Sequence, residues 1–389
     1  MSPHPSLSLP FVAPDPMRPV RSMGPYELCW CRSGKKYKWC HFRREQQKPI
    51  TIFEVEAQML NELRDGYCSY PNLGTDPCSP ILTKAHTVQR RGGLAAIAEG
   101  GHVLTVKPTM KSLIETDGNP SPRSIGVNKA SVFPGFCNKH DSSIFKPIEE
   151  KTIDINSDTA FLLAYRAVAY ERFAKDAQRR GTWAQREMDR GHPFEKQAEI
   201  QMYLDAVSAG IEFGMHDVDR WKREFDTRLL SGSRDGFHYF AVKFDSVLPT
   251  VACTAFHPEY DFKGNALQKL GRRGSDFDHI TLTVTAFEGN SVAVFGWIGD
   301  LCGPAGELAE SFSKIDDYRN ADALTRLLFV HTDNIFIQPN WWSALSPDDR
   351  LDLQDLVKSG TPMRARTGRD LVDDGKSLVN ARAIEKLQG

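Results

Sequence analysis

Apolar residues recur every three to four positions in separate segments between 53 and 230 of this chain and every second position between 238 and 298, so helices are expected in the former and strands in the latter. Val55, Met59 and Leu63 share one face of a short predicted helix over 53–65. Phe161, Tyr165 and Val168 mark a second over 158–178, with Ser157 and Asp158 as capping candidates. A third covers 194–230, with a break expected near Gly210 or Gly214, and the polar stretch 175–190 between the two reads as a charged helix tip or loop. Beyond Gly236, His238, Phe240, Val242 and Phe244 alternate with the opposite face, and 250–256 is β-rich. Ile280, Leu282, Val284 and Ala286 then alternate with Thr281, Thr283 and Thr285, and 291–298 is a fourth strand. Glu288-Gly289-Asn290 is short and turn-prone, which predicts an antiparallel hairpin between the last two strands. Helical spacing returns over 305–314, 321–330 and 347–358. The charged end, 361–389, is expected as a peripheral helix or a disordered tail. Together these elements specify an α+β domain over 155–360, with its helices packed on a mostly antiparallel sheet.

Length and charge narrow the picture. A chain of 389 residues holds two or three domains. Pro3, Pro5, Pro10, Pro14, Pro16 and Pro19 point to an extended, flexible leader over 1–25. No run approaches the roughly 18 apolar residues of a membrane span and no signal peptide is apparent, so a cytoplasmic protein is expected. The net charge of -1 excludes a surface that is basic throughout, so any nucleic-acid contact must come from a local patch. Between Arg32 and Lys48 seven basic residues stand against Glu45 alone, interleaved with Tyr37, Trp39 and Phe42. Lys35, Lys36, Lys38, Arg43 and Arg44 are the nucleic-acid-binding candidates there, the alternative being a solvated face around a small metal knuckle.

Six of the eight cysteines fall in the first 140 residues, the grouping of a metal framework in a reducing compartment rather than of a secreted disulfide scaffold. Cys29 and Cys31, then Cys40 and His41 after eight intervening residues, supply three sulfurs and one nitrogen. That donor set favours tetrahedral Zn²⁺, and Ser33-Gly34 lets the backbone reverse so that the pairs converge. The stretch resembles the SEC-C motif, first described at the C-terminus of a translocation ATPase, whose pattern is Cys-x-Cys-Gly-Ser-Gly-Lys-Lys-Tyr/Phe-Lys-x-Cys-Cys/His. Only Arg32 departs, where Gly is usual. The resemblance implies a zinc motif over 26–48 and a partner-docking role.

A second constellation follows. Cys68 and Cys78 lie in a loop that holds Pro71, Gly74 and Pro77, and the run after it, from Ile81, reads as a strand ending near His86. Cys137 and His140 form a Cys-x-x-His pair at a turn that opens a helix. Two ligands before a hairpin and two at a helix head are what a treble-clef module needs, and a second structural zinc is expected in a module over 53–150. The arrangement resembles degenerate HNH-type (ββα-metal) endonuclease modules. By that resemblance His86 is the general base that activates water, and Asp141 is a ligand of catalytic Mg²⁺ or Mn²⁺. Ala85 departs from the family, which places an acidic or His metal ligand there. Asn128 and Asn138 are available for the middle position, and the long insertion after His86 is expected to hold a helical turn near 94–99 and a strand near 102–106.

Further along, His257, His279 with Asp278, and His331 with Asp333 and Asn334 show no spacing that requires them to meet, and strand-edge histidines are usually structural. Cys253 and Cys302 are expected as core thiols, and Trp341-Trp342 as an anchor of the last helix. Two function classes stand. One is a zinc-containing nucleic-acid-binding protein that acts as an HNH-like endonuclease in nucleic-acid processing or phage defence, a reading by analogy. The other is a non-enzymatic adaptor whose zinc modules bind a protein partner. His86 with Asp141 favours the first, and Ala85 favours the second.

Overall fold

The computed structural model describes residues 15–389 except 16, 72, 73, 75, 108, 151, 271–275 and 362, so most of the expected leader lies outside the described residues. In chain order the first elements are α1 (Ile52–Glu62), β1 (Ala85–His86), α2 (Ala95–Ile97), β2 (His102–Thr105), α3 (Met110–Glu115), β3 (Arg123–Gly126), β4 (Val132–Phe133) and α4 (Asn138–Phe145). The long helices α5 (Ser157–Arg186) and α6 (Phe194–Ser231) follow, then β5 (Phe237–Phe244), β6 (Thr250–Phe256), β7 (Ile280–Phe287) and β8 (Asn290–Ile298). The last are α7 (Pro304–Ser313), α8 (Asn320–His331), β9 (Ile335–Ile337), α9 (Pro339–Ala344), α10 (Pro347–Val357) and β10 (Ala383–Gln388). They form two compact units. One contains the described residues up to Asp65 with Phe173–Asp217, and the other contains Gly66–Arg172, Val218–Leu270 and Asp276–Gly389.

In the first unit, Thr51 caps α1 reciprocally with Glu54, a capping box that satisfies two otherwise orphaned N–H groups. Of the two readings of the polar stretch 175–190, the charged helix tip holds and the loop does not. Helix α5 continues through it to Arg186, because its Lys, Arg, Gln and Ala residues are strong helix formers and Asp176 pairs with both Arg179 and Arg180 one turn on. Nor does α6 break at Gly210 or Gly214. Gly214 is where the Lys175 side chain lies across the helix, with its Nζ 3.1 Å from where a Cβ would stand, so this glycine makes room rather than ending the helix.

The second unit is built on an eight-stranded, wholly antiparallel sheet in the order β10-β5-β8-β7-β6-β9-β2-β3. The hairpin between β7 and β8 closes through Glu288 (φ 53°) and Gly289 (φ 81°), two left-handed residues as the favoured two-residue turn requires. On one face Phe240, Phe295 and Leu282 pack with Phe312 of α7, Leu324 and Leu328 of α8 and Leu353 of α10. Thr281 and Thr283, on the alternating polar face of β7, are buried as well, and Thr281 satisfies its hydroxyl by donating to the Gly296 carbonyl at 2.9 Å. A Cβ on Gly296 would lie 3.2 Å from Ala164 of α5, which covers that face.

The tail is neither helix nor free end. β10 pairs with β5 at the sheet edge, and Leu371, Val379, Ala381 and Ala383 are buried. Its exposed Glu385 and Lys386 suit an edge strand, which charge protects from further pairing. Cys253 is a core thiol as expected, whereas Cys302 is exposed in the turn before α7 and is not. Trp341 donates its indole N–H to the Leu378 carbonyl at 2.9 Å and Trp342 stacks on Phe329, so the pair anchors the last helices.

Candidate metal centres and a polar cavity

Local backbone bonds assemble the first centre in the first unit. Cys29 donates its N–H to the Lys35 carbonyl, Leu28 bridges Lys36, and a single 3₁₀ turn at Tyr37–Trp39 delivers Cys40 and His41 back to the first pair. The donor atoms of Cys29, Cys31, Cys40 and His41 all lie within 4.8 Å of one another, and all four residues are buried. His41 Nδ1 is 3.3 Å from the Cys29 sulfur and 3.2 Å from that of Cys40, and the Cys31 and Cys40 sulfurs are 3.4 Å apart. A tetrahedral ion with metal–ligand bonds of about 2.0–2.3 Å has ligand–ligand edges of roughly 3.3–3.8 Å, so this donor set fits Zn²⁺. Arg32 sits in the left-handed region at φ 59°, the backbone state for which glycine is usual, and its guanidinium reaches Asp205 at 2.8 Å and the Asp15 carbonyl at 2.8 Å.

The outward side of His41 was not legible beforehand. Its Nε2 meets Asp189 at 2.7 Å, so the ring's orientation and tautomer are fixed by a fully buried carboxylate. Arg44 Nε donates to the same carboxylate at 2.7 Å and Gln201 at 2.8 Å. Arg44 is therefore buried and committed to Asp189, a correction to its place among the nucleic-acid-binding candidates. Lys35, Lys36, Lys38 and Arg43 remain exposed. Lys36 and Lys38 lie over the Tyr26 ring at 5.7 and 5.5 Å, and Arg43 lies over Phe42 at 5.2 Å. Asp189→Ala is expected to destabilise the chain by up to about 3–5 kcal/mol, because it removes the closer carboxylate partner of the buried Arg44 cation and leaves it, among the described residues, only Glu187 at 3.3 Å, and to weaken zinc about 10–100-fold. Chemical denaturation and competition with a zinc indicator read the two effects separately.

The second centre belongs to the second unit. His140 Nδ1 is 3.4 Å from the sulfur of Cys68, 3.6 Å from Cys78 and 3.2 Å from Cys137, and the four donors again lie within 4.8 Å of one another. Its Nε2 meets Asp76 at 3.2 Å, and Tyr70 stacks on the ring at 3.9 Å. Cys137 stands at the N-cap position of α4, while the Tyr67 and Ser69 N–H groups donate to the carbonyls of Pro134 and Gly135, which brings the two ligand pairs together. Gly135 is required there: a Cβ would lie 1.9 Å from the Phe133 ring. Gly135→Ala is accordingly expected to lower zinc content at this centre, whereas Gly289→Ala, which meets no atom within 4 Å, should change only local turn energy.

β1 pairs antiparallel with β4, Ala85 with Phe133 and His86 with Val132, and α4 follows directly. His86 and Asp141 line one cavity of about 1300 Å³ in this unit, together with Lys84, Arg90, Glu149 and Arg166. Three polar atoms on this wall are buried without a partner among the described residues: His86 Nε2, Asp141 Oδ1 and Arg166 Nε. Orphaned buried polar groups are rare and mark strain, chemistry or a missing water or ion. Burial, and next the charge of Arg90, hold the His86 pKa below its ordinary 6.5, while burial raises the Asp141 carboxyl against the pull of Arg166. Ala85 is buried and offers no donor. Asn128 accepts from Arg90 at 3.1 Å, and Asn138 opens α4.

Elsewhere in the unit the fold brings together histidines whose spacing did not require it: the His257 and His279 rings are 4.0 Å apart, and His279 stacks on Trp221 at 4.1 Å. His331 stacks on Phe256, and Asn334 is buried, donating to the Thr87 hydroxyl and the Cys253 carbonyl. Asp76, Asp189, Glu149 and Arg166 are the site residues sequence reasoning did not find. Only Asp76 carried a signal, two residues before a ligand.

Residues 27–43 match the SEC-C motif family. No curated protein and no solved structure is significantly similar to the chain. The motif match and the buried Cys/His cluster within it fit a zinc motif. Among the described residues no helix is long and apolar enough to cross a membrane.

Proposed function

We propose that this chain holds two structural zinc ions and is a metal-dependent nuclease of the HNH-like type, with the cavity that contains His86 and Asp141 as its catalytic centre. The observation that carries the reading is the meeting, in one cavity, of an unpartnered imidazole nitrogen on a strand and an unpartnered carboxylate oxygen on the helix that carries a Cys/His cluster at its head. The His86 ring is bonded to the backbone of Lys84, which leaves Nε2 to accept a proton from water. Asp141 fits Mg²⁺ or Mn²⁺, hard ions commonly held by one or two carboxylates plus substrate phosphate oxygens. When bound, such an ion supplies positive charge to the phosphoryl group and the leaving oxygen. With Ala85 in place of a further donor, protein ligands are few, so activity should rise into the millimolar range of added metal, roughly the weak end for oxygen-ligand sites.

Incubating the purified chain with single- and double-stranded DNA and RNA, with Mg²⁺ or Mn²⁺, tests the proposal, and absence of cleavage on every substrate rejects it. The pH profile adds a check. A general base works only when unprotonated, so the rate should be flat above the ordinary histidine value of 6.5 and fall only as pH drops further. Arg90→Gln removes a repelling cation and should move that fall toward higher pH.

A second reading rests on the first centre. Trp39 (71 % exposed), Leu28 and Tyr26 form an apolar and aromatic surface between Lys36 and Lys38, suited to an acidic protein segment or to stacked bases. As an adaptor the chain would dock a partner there. As a nuclease in nucleic-acid processing or phage defence it would hold substrate there.

A further inference from the structure

Arg166 takes no part in either zinc cluster, yet it is among the most constrained cations in the second unit. Its side chain is 3 % exposed, its guanidinium lies over the Phe145 ring at 4.2 Å, and one terminal nitrogen donates to Glu149 at 2.6 Å. Among the described residues its Nε is buried without a partner. A buried guanidinium ordinarily satisfies its donors, so this N–H on a planar, always-charged fork is left to bond an acceptor that enters the cavity, water or ligand. Arg166 and Glu149 line the same cavity as His86 and Asp141, and both charges act on both of those groups.

Resting on the nuclease reading, we propose that Arg166 is the phosphate-binding residue of this cavity, gripping the non-bridging oxygens of a phosphodiester, and that Glu149 occupies part of that fork as an internal carboxylate until substrate displaces it. A carboxylate and a phosphate present the same pair of acceptors to a guanidinium, so each can replace the other. The two partners differ in constraint: Arg166 is fixed by the Phe145 ring and by burial, whereas Glu149 is 47 % exposed and can swing into water. The fork is thus ordered in advance and its occupant is mobile. A cation held in this way also stabilises the charge that builds on the phosphoryl oxygens as water attacks.

Calorimetric titration of the full chain with inorganic phosphate tests this without any need for turnover. Glu149→Gln keeps the shape of the competitor and removes its charge, and should tighten phosphate about tenfold. Arg166→Gln should weaken it about tenfold or more, with Arg166→Lys in between, zinc content and circular dichroism confirming that each variant is folded. Should Arg166→Gln fail to fold, Glu149→Gln decides alone, because Glu149 is half exposed and its replacement leaves the buried ring and fork in place. Phosphate affinity unchanged in Glu149→Gln, or unchanged in a folded Arg166→Gln, overturns the inference. If cleavage needs His86 and Asp141 while phosphate ignores Arg166, the nuclease reading stands and this inference falls. If nothing is cleaved but phosphate follows Arg166 and Glu149, the anion site stands and the nuclease reading falls.

Discussion

His86→Ala is expected to lower Mg²⁺- or Mn²⁺-dependent cleavage by about 10²–10⁴-fold, the range that a positioned general base contributes, while zinc content and melting temperature stay close to those of the parent chain. The substitution removes an orphaned buried nitrogen along with one bond to the Lys84 backbone and disturbs neither Cys/His cluster, so the stability change should be small. Asp141→Asn should reduce cleavage comparably, and the residual rate should need more added metal, because the carboxylate that would hold the ion has lost its charge. The adaptor reading expects no cleavage from the parent chain under any divalent metal, and at most a local stability change from either variant. Cleavage that survives both substitutions would place the chemistry outside this cavity.

Replacing Cys137 with Ser is expected to release one of two zinc equivalents and to disorder the segment that joins β4 to α4. Zinc binding and folding share one free energy in such small clusters, and Cys137 is a donor that stands at the N-cap position of α4. Because β4 pairs with the strand that carries His86, and α4 carries Asp141, cleavage should disappear with that zinc. Cys40→Ser should release the other equivalent and leave the chemistry largely in place, since the first centre contributes no residue to the cavity. Metal analysis, together with hydrogen exchange over 66–90 and 131–148, would show this. Loss of the only bound zinc with Cys40→Ser, and none with Cys137→Ser, would remove the second centre.

Short-range chemistry was readable from the chain alone. Cys29, Cys31, Cys40 and His41 are joined by a single turn, so their spacing determines the donor set. Even Cys68, Cys78, Cys137 and His140, though far apart in sequence, could be grouped because thiol and imidazole ligands are few and the alternatives limited. The hairpin of β7 and β8 followed from a period of two and a two-residue turn.

Where several weak preferences compete, only the tertiary structure decided. Gly214 looked like a break and instead makes room for Lys175, and the charged stretch before Arg186 continued as helix because Asp176 could pair with two arginines. The tail carried no apolar period, since β10 is held by backbone bonds to the edge of β5, which any side chain permits. Arg44 resembled its basic neighbours, but the Asp189 carboxylate, 145 positions away, drew it inside. The same holds for the cavity. His86 and Asp141 were singled out by the resemblance to HNH-type modules, whereas Arg166 and Glu149 have no local mark, because a buried charge acquires its meaning from partners that only the folded chain assembles.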